Sequence, residues 1–351
     1  TSGFQSDIYN HSNYDGVNNI FKIGAINENG ADYSHAKISE IIYLDETISE
    51  DEIVKIKNYL SQKWDFEDAE DNFYADLAAS AQNSVEEAGI HYVKRLNAET
   101  GEENLCLTGG VALNSCLNGL IRRNNIYSST FAPPACHDGG HGLGAPLFYS
   151  NFVSPIKSDR VKSDFFGYPY TTEDCIKAAN ELGASFEKFD NLDELGEDIA
   201  QTVADQKIIA IFNEGSEFGP RALGHRSIVV DPRTPEMKDV LNARVKFREA
   251  YRPFAPIVLK DHALEFFEFD ESDFMLFVAK GTDRAKKEVP AVIHVDGTAR
   301  MQTVTEENQP FHSMLSHFHK ITGTPVLLNT SFNIAGEPIV ETPQDAIRCF
   351  M

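Results

Sequence analysis

The sequence predicts an α/β protein of two or three domains, and three observations carry that prediction. Segments with a helical apolar period alternate with short strand-like apolar runs from residue 72 to residue 212. At 351 residues the chain is long enough for each domain to bury a core of its own. Its 42% hydrophobic and 24% charged residues strike the balance of a globular protein, with no run approaching the roughly 18 consecutive apolar residues of a membrane span.

Taken in order, Ala36 to Leu44 alternates in part like a half-buried strand. Ser49 and Glu50 then open a helix from Asp51 to Trp64, with Ile53, Ile56, Tyr59 and Leu60 at apolar positions. An acidic joint, residues 65–71, leads to a long amphipathic helix over 72–98, where Phe73, Leu77, Ala81, Val85 and Ala88 recur on one face. A short strand over 104–107 turns through Thr108-Gly109-Gly110 into a helix bearing Asn114 and Asn118. A second strand, 126–131, ends at Pro133-Pro134. A linker rich in Ser, Lys and Asp covers 154–164. Thr171 with Asp174 has the spacing of a capping box for a helix to Leu182, and a further helix over 192–205 precedes a buried-type strand over 208–212. No internal repeat is present.

Charge narrows the function. The net charge of −23 argues against non-specific nucleic-acid binding, which needs a long basic stripe. Five cysteines (Cys106, Cys116, Cys136, Cys175 and Cys349) form no C-x-x-C pair, which predicts reduced thiols and no structural zinc. Thr1 to Gln5 has neither the basic region nor the apolar core of a signal peptide, so a cytoplasmic location is expected.

Against that acidic background stands a basic island. Between Gly219 and Arg252 there are 8 Lys/Arg and 4 Asp/Glu, set among glycines and prolines, the composition of a site for a small anion. Arg221, Lys246, Arg248, Arg252 and Arg300 are candidates to hold a triphosphate or an acyl phosphate. Pro220 fixes the approach to Arg221, while Gly219 and Gly224 permit close backbone contact. The competing reading pairs some of these cations with Glu249, Asp231 or Asp296, Arg226 and Arg244 being the first candidates. Ser331, after the apolar run Val326-Leu327-Leu328, offers a hydroxyl and backbone amides to a phosphate, or simply forms a turn.

Two further sites are legible. Gly109 and Gly110, between a strand and a helix, bring free amides close to an anion or else make a tight turn; Asn114 and Asn118, one helical turn apart, tip the balance toward a ligand. Asp138, followed by two glycines at a strand end, suits a divalent ion that bridges phosphate oxygens. His137 and His141 have the spacing of a zinc pair, but the intervening glycines and the lack of further ligands disfavour it. His312, His317 and His319 read as surface positions of a helix.

These runs carry a resemblance. From about residue 71 to 351 the chain resembles the ATP-dependent O-carbamoyltransferases of nodulation-factor and antibiotic biosynthesis. The matching runs are N-L-C-L-T-G-G-V-A-L-N (104–114), H-D-G-G-H-G-L-G-A (137–145), G-P-R-A-L-G-H-R-S-I (219–228), V-K-F-R-E-A-Y-R-P-F-A-P (245–256), H-V-D-G-T-A-R (294–300), T-G-T-P-V-L-L-N-T-S-F-N (322–333) and G-E-P-I-V (336–340). The resemblance implies a partial actin-like ATPase-fold domain over 67–155, followed by a YrdC-like carbamoyl-adenylate domain over 156–351, truncated at its C-terminus. It implies that carbamoyl phosphate and ATP give carbamoyl-AMP, which then carbamoylates a hydroxyl of a sugar or natural product. By position, Lys246, Arg300 and Arg221 take catalytic roles, and Arg248, Arg252, Ser331 and Asn329 bind the adenylate. Gly109, Gly110 and Asn114 bind nucleotide, and Asp138 binds Mg²⁺ or another divalent metal, iron being what the family suggests.

Residues 36–66 resemble the closing strand and last helix of a laminin-G or concanavalin-like module, which sets 1–66 apart as a short lectin-like β+α segment. The family's metal-binding histidines lie in an H-x-x-x-H helix, and no such segment precedes residue 71. The chain also stops at Met351 inside an expected helix. The expectation therefore includes an inactive fragment or chimera, and a carbohydrate-binding protein stands as the alternative. A threonylcarbamoyl-type tRNA-modifying enzyme is disfavoured by the acidic charge.

Overall fold

A computed structural model of the chain describes residues 73–154, 164–247 and 252–351. The lectin-like segment, most of the linker and Arg248 lie outside the described residues. Two units are present, Thr1–Val93 and Lys94–Met351, and the boundary between them falls inside the first described helix, α1 (Phe73–Thr100). No helix among the described residues is long and apolar enough to cross a membrane.

The second unit is mixed α/β. It opens with two short parallel strands, β1 (Asn104–Cys106) and β2 (Ser129–Phe131), linked by α2 (Ser115–Arg123). α3 (His141–Phe148) follows. Next come α4 (Thr172–Leu182) and α5 (Leu192–Ala204), both starting as their sequences predict. Thr171 and Asp174 form a reciprocal capping box, and the Asn191 side chain accepts from the Glu194 amide.

The centre of the unit is a five-stranded sheet. In chain order its strands are β3 (Ile209–Phe212), β4 (Arg226–Val230), β5 (Ala255–Leu259), β8 (Gln302–Val304) and β9 (Val326–Ser331), arranged β3-β4-β9-β5-β8. All neighbours are antiparallel except β5 and β8. β6 (Val278–Lys280) and β7 (Thr298–Arg300) form a separate antiparallel pair. The remaining helices are α6 (Met237–Leu241), α7 (Ala263–Phe266), α8 (Asp283–Glu288), α9 (Phe311–Thr322) and α10 (Pro343–Phe350).

Strand alternation divides the core into two layers. Ile211, Val229, Leu327 and Ile257 pack on one face against Ala200 and Val203 of α5 and Phe311, Met314, Leu315 and Phe318 of α9. Ile228, Val230, Leu328 and Val258 face the other way, onto Leu241, Phe266, Phe267 and Met301. That second layer also contains Ala112, Ala132 and Cys136. The 104–136 segment thus shares a core with the sheet, and Lys94–Met351 forms one unit across the expected join at residues 155 and 156.

α2 makes the shared core tight. Gly119 lies so close to β6 that a Cβ there would fall 2.1 Å from the Val278 carbonyl oxygen. Asn118, 1% exposed, donates to the carbonyls of Ala112 and Leu276 at 2.8 and 2.9 Å. Arg123 donates to Glu268 and to the Val278 carbonyl.

Candidate functional site

Lys246 closes a π-helical turn, Asn242–Lys246, that continues α6, and the next residue, Phe247, is exposed with φ of 43°. A bulky residue in the left-handed region is strained by about 1–3 kcal/mol. The helix ends at this left-handed residue, and the Lys246 side chain before it lies inward, 6% exposed. Its Nζ donates to the Ser331 carbonyl (2.6 Å) and hydroxyl (3.2 Å) and to the Asn333 carbonyl (2.9 Å) and side-chain oxygen (2.7 Å).

The acceptors are themselves oriented. Ser331 Oγ donates to Asn333 Oδ1 at 2.6 Å, and Asn333 Nδ2 donates to the Glu337 carbonyl at 2.8 Å. With Nδ2 committed there, the amide oxygen of Asn333 must face the lysine and the serine. Asn333 belongs to this cluster as much as Ser331 does. It closes the L-L-N-T-S-F-N run, but residue type alone gives no reason to prefer it over Asn329.

Asn329 and Ser331, two apart, project from the same face of β9. Asn329, 1% exposed, donates to the Ala222 carbonyl at 2.9 Å, so its amide holds the loop that carries Arg221. Gln302 donates to the adjoining Leu223 carbonyl at 2.9 Å. From inside the loop, Glu217 Oε1 accepts from the amides of Leu223, His225 and Arg226 at 2.7, 2.9 and 3.1 Å. The G-P-R-A-L-G-H-R-S run is rigid because three side chains tie its backbone. Arg221 is half-buried on this frame, and its Nε is buried without a hydrogen-bond partner among the described residues. Burial lowers its guanidinium from the ordinary arginine value, which still leaves it a cation.

Several expectations are corrected here. Gly219 and Gly224 do allow close approach, but to the protein itself. At Gly219, with φ of 148°, a Cβ would lie 2.7 Å from the Pro134 carbonyl oxygen; at Gly224 it would lie 3.0 Å from the Phe311 ring. Arg226 is structural, as the competing reading held, but among the described residues its partners are carbonyls and not a carboxylate. It is fully buried, donates to the carbonyls of Asn213, His225, Glu214 and Glu341, and lies 3.7 Å from the centroid of the Phe212 ring. Asp231 pairs with Arg233 and Asp296 with His294, while Arg244 is exposed. The two asparagines at the start of α2 do not share one role. Asn114 is its N-cap, accepting from the Leu117 amide, and Asn118 is the core tie described above.

The two loops assigned to nucleotide and metal lie side by side. The Gly109 amide, at φ of 92°, donates to the Cys136 carbonyl at 2.7 Å, and a Cβ at Gly109 or Gly110 would meet open space. Parallel pairing of β1 and β2 sends both chains out on one side, which is why these loops meet. Cys136 in turn lies within electrostatic reach of Arg221, and burial pushes its thiol up. Asp138 is exposed at the start of a 3₁₀ turn capped by His137 Nδ1, which accepts from Gly139. The described residues contain no group of three His, Cys, Asp or Glu that would enclose a metal. Arg300 is half-buried at the end of β7, and Arg252 is exposed ahead of β5. His312, His317 and His319 lie on a helix, α9, as expected, but half-buried and not at its surface, with His317 bonded to Asp193 at 2.9 Å.

Sequence reasoning also passed over Asp164 beneath the arginine loop. It is 3% exposed, its carbonyl accepts from the Phe218 amide, and its Oδ2 has no partner among the described residues. Burial, with Glu217 and Asp273 adding repulsion, pushes its carboxyl up to about 7. It stood in a linker by composition, so nothing local marked it.

Known proteins match much of this sequence. The family description "Carbamoyltransferase N-terminus" matches residues 19–147, and "Carbamoyltransferase C-terminus" matches 200–351. The first match begins inside the segment that the sequence sets apart as lectin-like. The chain is 40% identical over 284 residues to the nodulation protein NolNO of Sinorhizobium fredii, covering 79% of this chain and 42% of that protein. Against the nodulation protein NolO of Bradyrhizobium diazoefficiens it is 38% identical over 284 residues, covering 79% and 52%. The chain spans about half the length of the curated relatives it matches. Among solved structures, full-length HypF in its phosphate- and nucleotide-bound form matches at 15% identity and a TM-score of 0.33, covering 64% of this chain and 34% of that one, too slight a likeness to bear on function.

Proposed function

This chain belongs to the carbamoyltransferase family, and from that premise we propose that it serves an ATP-dependent O-carbamoyl transfer through carbamoyl-AMP. In this reading carbamoyl phosphate and ATP yield the adenylate. A hydroxyl oxygen of a sugar or natural product then attacks the carbamoyl carbon, AMP leaves, and the hydroxyl proton is lost. The observation that carries the proposal is the Lys246–Ser331–Asn333 cluster. A nearly buried ammonium with four oxygen acceptors within 3.2 Å is held at the end of β9, where the family's longest motifs meet.

The chemistry follows from that arrangement. Lys246 is held in place by the oxygens of Ser331 and Asn333, and an incoming phosphate or carbamoyl oxygen would exchange with these hydrogen bonds. A preorganised cation in a site largely closed to water stabilises developing negative charge far better than one in bulk solvent. Arg221, half-buried on its tied loop, is proposed to hold the same anion through its guanidinium. Arg300, Arg252, Arg248 and Asn329 are proposed as further contacts to the adenylate, and Gly109, Gly110 and Asn114 as contacts to ATP. Magnesium or another divalent ion enters with the nucleotide. Asp138 is its proposed protein contact, but it gathers no further ligands among the described residues, so no step is assigned to a protein-bound metal.

The test is mass-spectrometric detection of carbamoyl-AMP after incubation with ATP, Mg²⁺ and carbamoyl phosphate. The wild-type chain should form it, and Lys246→Ala should lose at least about a hundredfold of the rate, the scale for removing one preorganised donor, while retaining its circular dichroism. Equal adenylate formation by a folded Lys246→Ala protein would sink the assignment.

A further inference from the structure

Backbone amides that converge on one point form a concavity for an anion, and the glycine-rich arginine loop contains such a set. In this chain the concavity is already filled. Glu217 Oε1 accepts from the amides of Leu223, His225 and Arg226 at 2.7, 2.9 and 3.1 Å, so a carboxylate of the protein stands where a ligand anion would. Three amides on one oxygen fix carboxylate and loop against each other, and amide bonds to a carboxylate are the stronger kind.

The backbone under Glu217 is fixed in turn. Phe165 and Glu217 form an isolated antiparallel bridge, the Phe218 amide donates to the Asp164 carbonyl at 2.6 Å, and the Gly167 amide donates to the Ser216 carbonyl at 3.0 Å. The Phe165 ring stacks on His225 with centroids 3.4 Å apart, and His225 Nδ1 donates to the Gly215 carbonyl at 2.8 Å. Asn329 and Gln302 hold the carbonyls of Ala222 and Leu223. Residues 222–226 are buried, whereas Pro220 is exposed and Arg221 half-buried, so the apex of the loop is the part that faces outward.

We propose that Glu217 is a positioning residue for Arg221. Its carboxylate takes the loop's amides for itself, so the loop meets the substrate anion with a guanidinium and not with its backbone. The inference rests on the reading of Arg221 as a contact to that anion. Glu217 touches no substrate; it acts by holding the buried half of the loop. Without it three amides lose their acceptor and the apex shifts, and a displacement of about 1 Å at a working contact costs up to about a hundredfold in rate.

The experiment is a double-mutant cycle on carbamoyl-AMP formation by the full chain, read as kcat/KM for carbamoyl phosphate with ATP and Mg²⁺ saturating. Arg221→Ala and Glu217→Ala should each lose about tenfold to a hundredfold. The double variant should be no slower than Arg221→Ala alone, because a residue that acts through Arg221 then has nothing left to position. Glu217→Gln, which keeps the side-chain oxygen, should recover most of the loss. Losses that multiply in the double variant, or a folded Glu217→Ala protein as fast as wild type, would overturn the proposal. If Glu217→Ala loses its circular dichroism, Glu217→Asp takes its place in the cycle, since it keeps the carboxylate but withdraws it from the amides. If the wild-type chain makes no carbamoyl-AMP, the carbamoyl-transfer reading fails by itself, and the cycle is read from carbamoyl phosphate affinity by calorimetry. Weakening by Glu217→Ala that vanishes in the Arg221→Ala background then supports the positioning role, and weakening that persists there, or none at all, rejects it.

Discussion

Asp164→Asn should make this protein more stable, and increasingly so as the pH rises. In the folded chain burial holds the Asp164 carboxyl at about 7, whereas its ordinary value is 3.8. Between those values the folded state keeps a proton that the unfolded chain has released. The folded state therefore binds more protons, stability falls as pH rises through the window, and it levels off above about pH 7. A shift of about 3 units corresponds to roughly 4 kcal/mol across the whole window. The sequence pI of 4.8 sets a practical floor near pH 5.5, leaving about 1.5 units, or roughly 2 kcal/mol. For a unit of this size that is a Tm difference of about 4 °C. Asparagine has a similar shape and no proton to lose, so its Tm advantage over wild type should grow by about 4 °C between pH 5.5 and pH 8.5, read by differential scanning calorimetry. His225, which burial lowers, titrates in both proteins and drops out of the difference. Parallel Tm curves, within about 1 °C of each other in shape, would refute the reasoning, because they would mean that Asp164 ionises as freely folded as unfolded.

Three further outcomes follow from the arginine loop. Glu217→Gln keeps a side-chain oxygen for the three amides but removes the charge beside Asp164, so the pH at which stability levels off should move down; an unmoved titration would show that Glu217 contributes nothing to it. Arg226→Met fills similar volume but strands the carbonyls of Asn213, Glu214, His225 and Glu341, and should cost about 3 kcal/mol or more by urea denaturation; a loss under about 1 kcal/mol would show that water reaches them. Gly219→Ala places a Cβ against the Pro134 carbonyl at a φ unsuited to alanine and should cost about 1–3 kcal/mol, with a wild-type midpoint counting against the contact.

Much of the chemistry was visible as residue type. The run from Glu217 to Ser227 announced a fixed loop, and Lys246, Ser331 and the Gly109-Gly110 turn were legible as anion-binding candidates. What was not legible is how each polar group is used. Arg221 and Arg226 are five residues apart in one motif, yet Arg226 is fully buried with its terminal nitrogens on four carbonyls while Arg221 is only half-buried. Asn114 and Asn118 looked like a ligand-facing pair and are a cap and a core tie. For Asn118 and Arg226 the deciding neighbours include residues far away in the chain, Leu276 and Glu341.

The sequence by itself determined several helices and strands up to residue 212, because apolar period and capping boxes act over a few residues at a time. The Thr171–Asp174 box, the α5 helix and the β3 strand all stand within a residue of where pattern places them. Only the tertiary structure decided that the 104–136 segment shares one core with the sheet. It alone brought Lys246 onto Ser331 and Asn333, and set Asp164 near Glu217 and Asp273. The physical reason is range: hydrogen-bond satisfaction and carboxylate ionisation depend on groups brought close by packing, and packing joins residues that no local pattern relates.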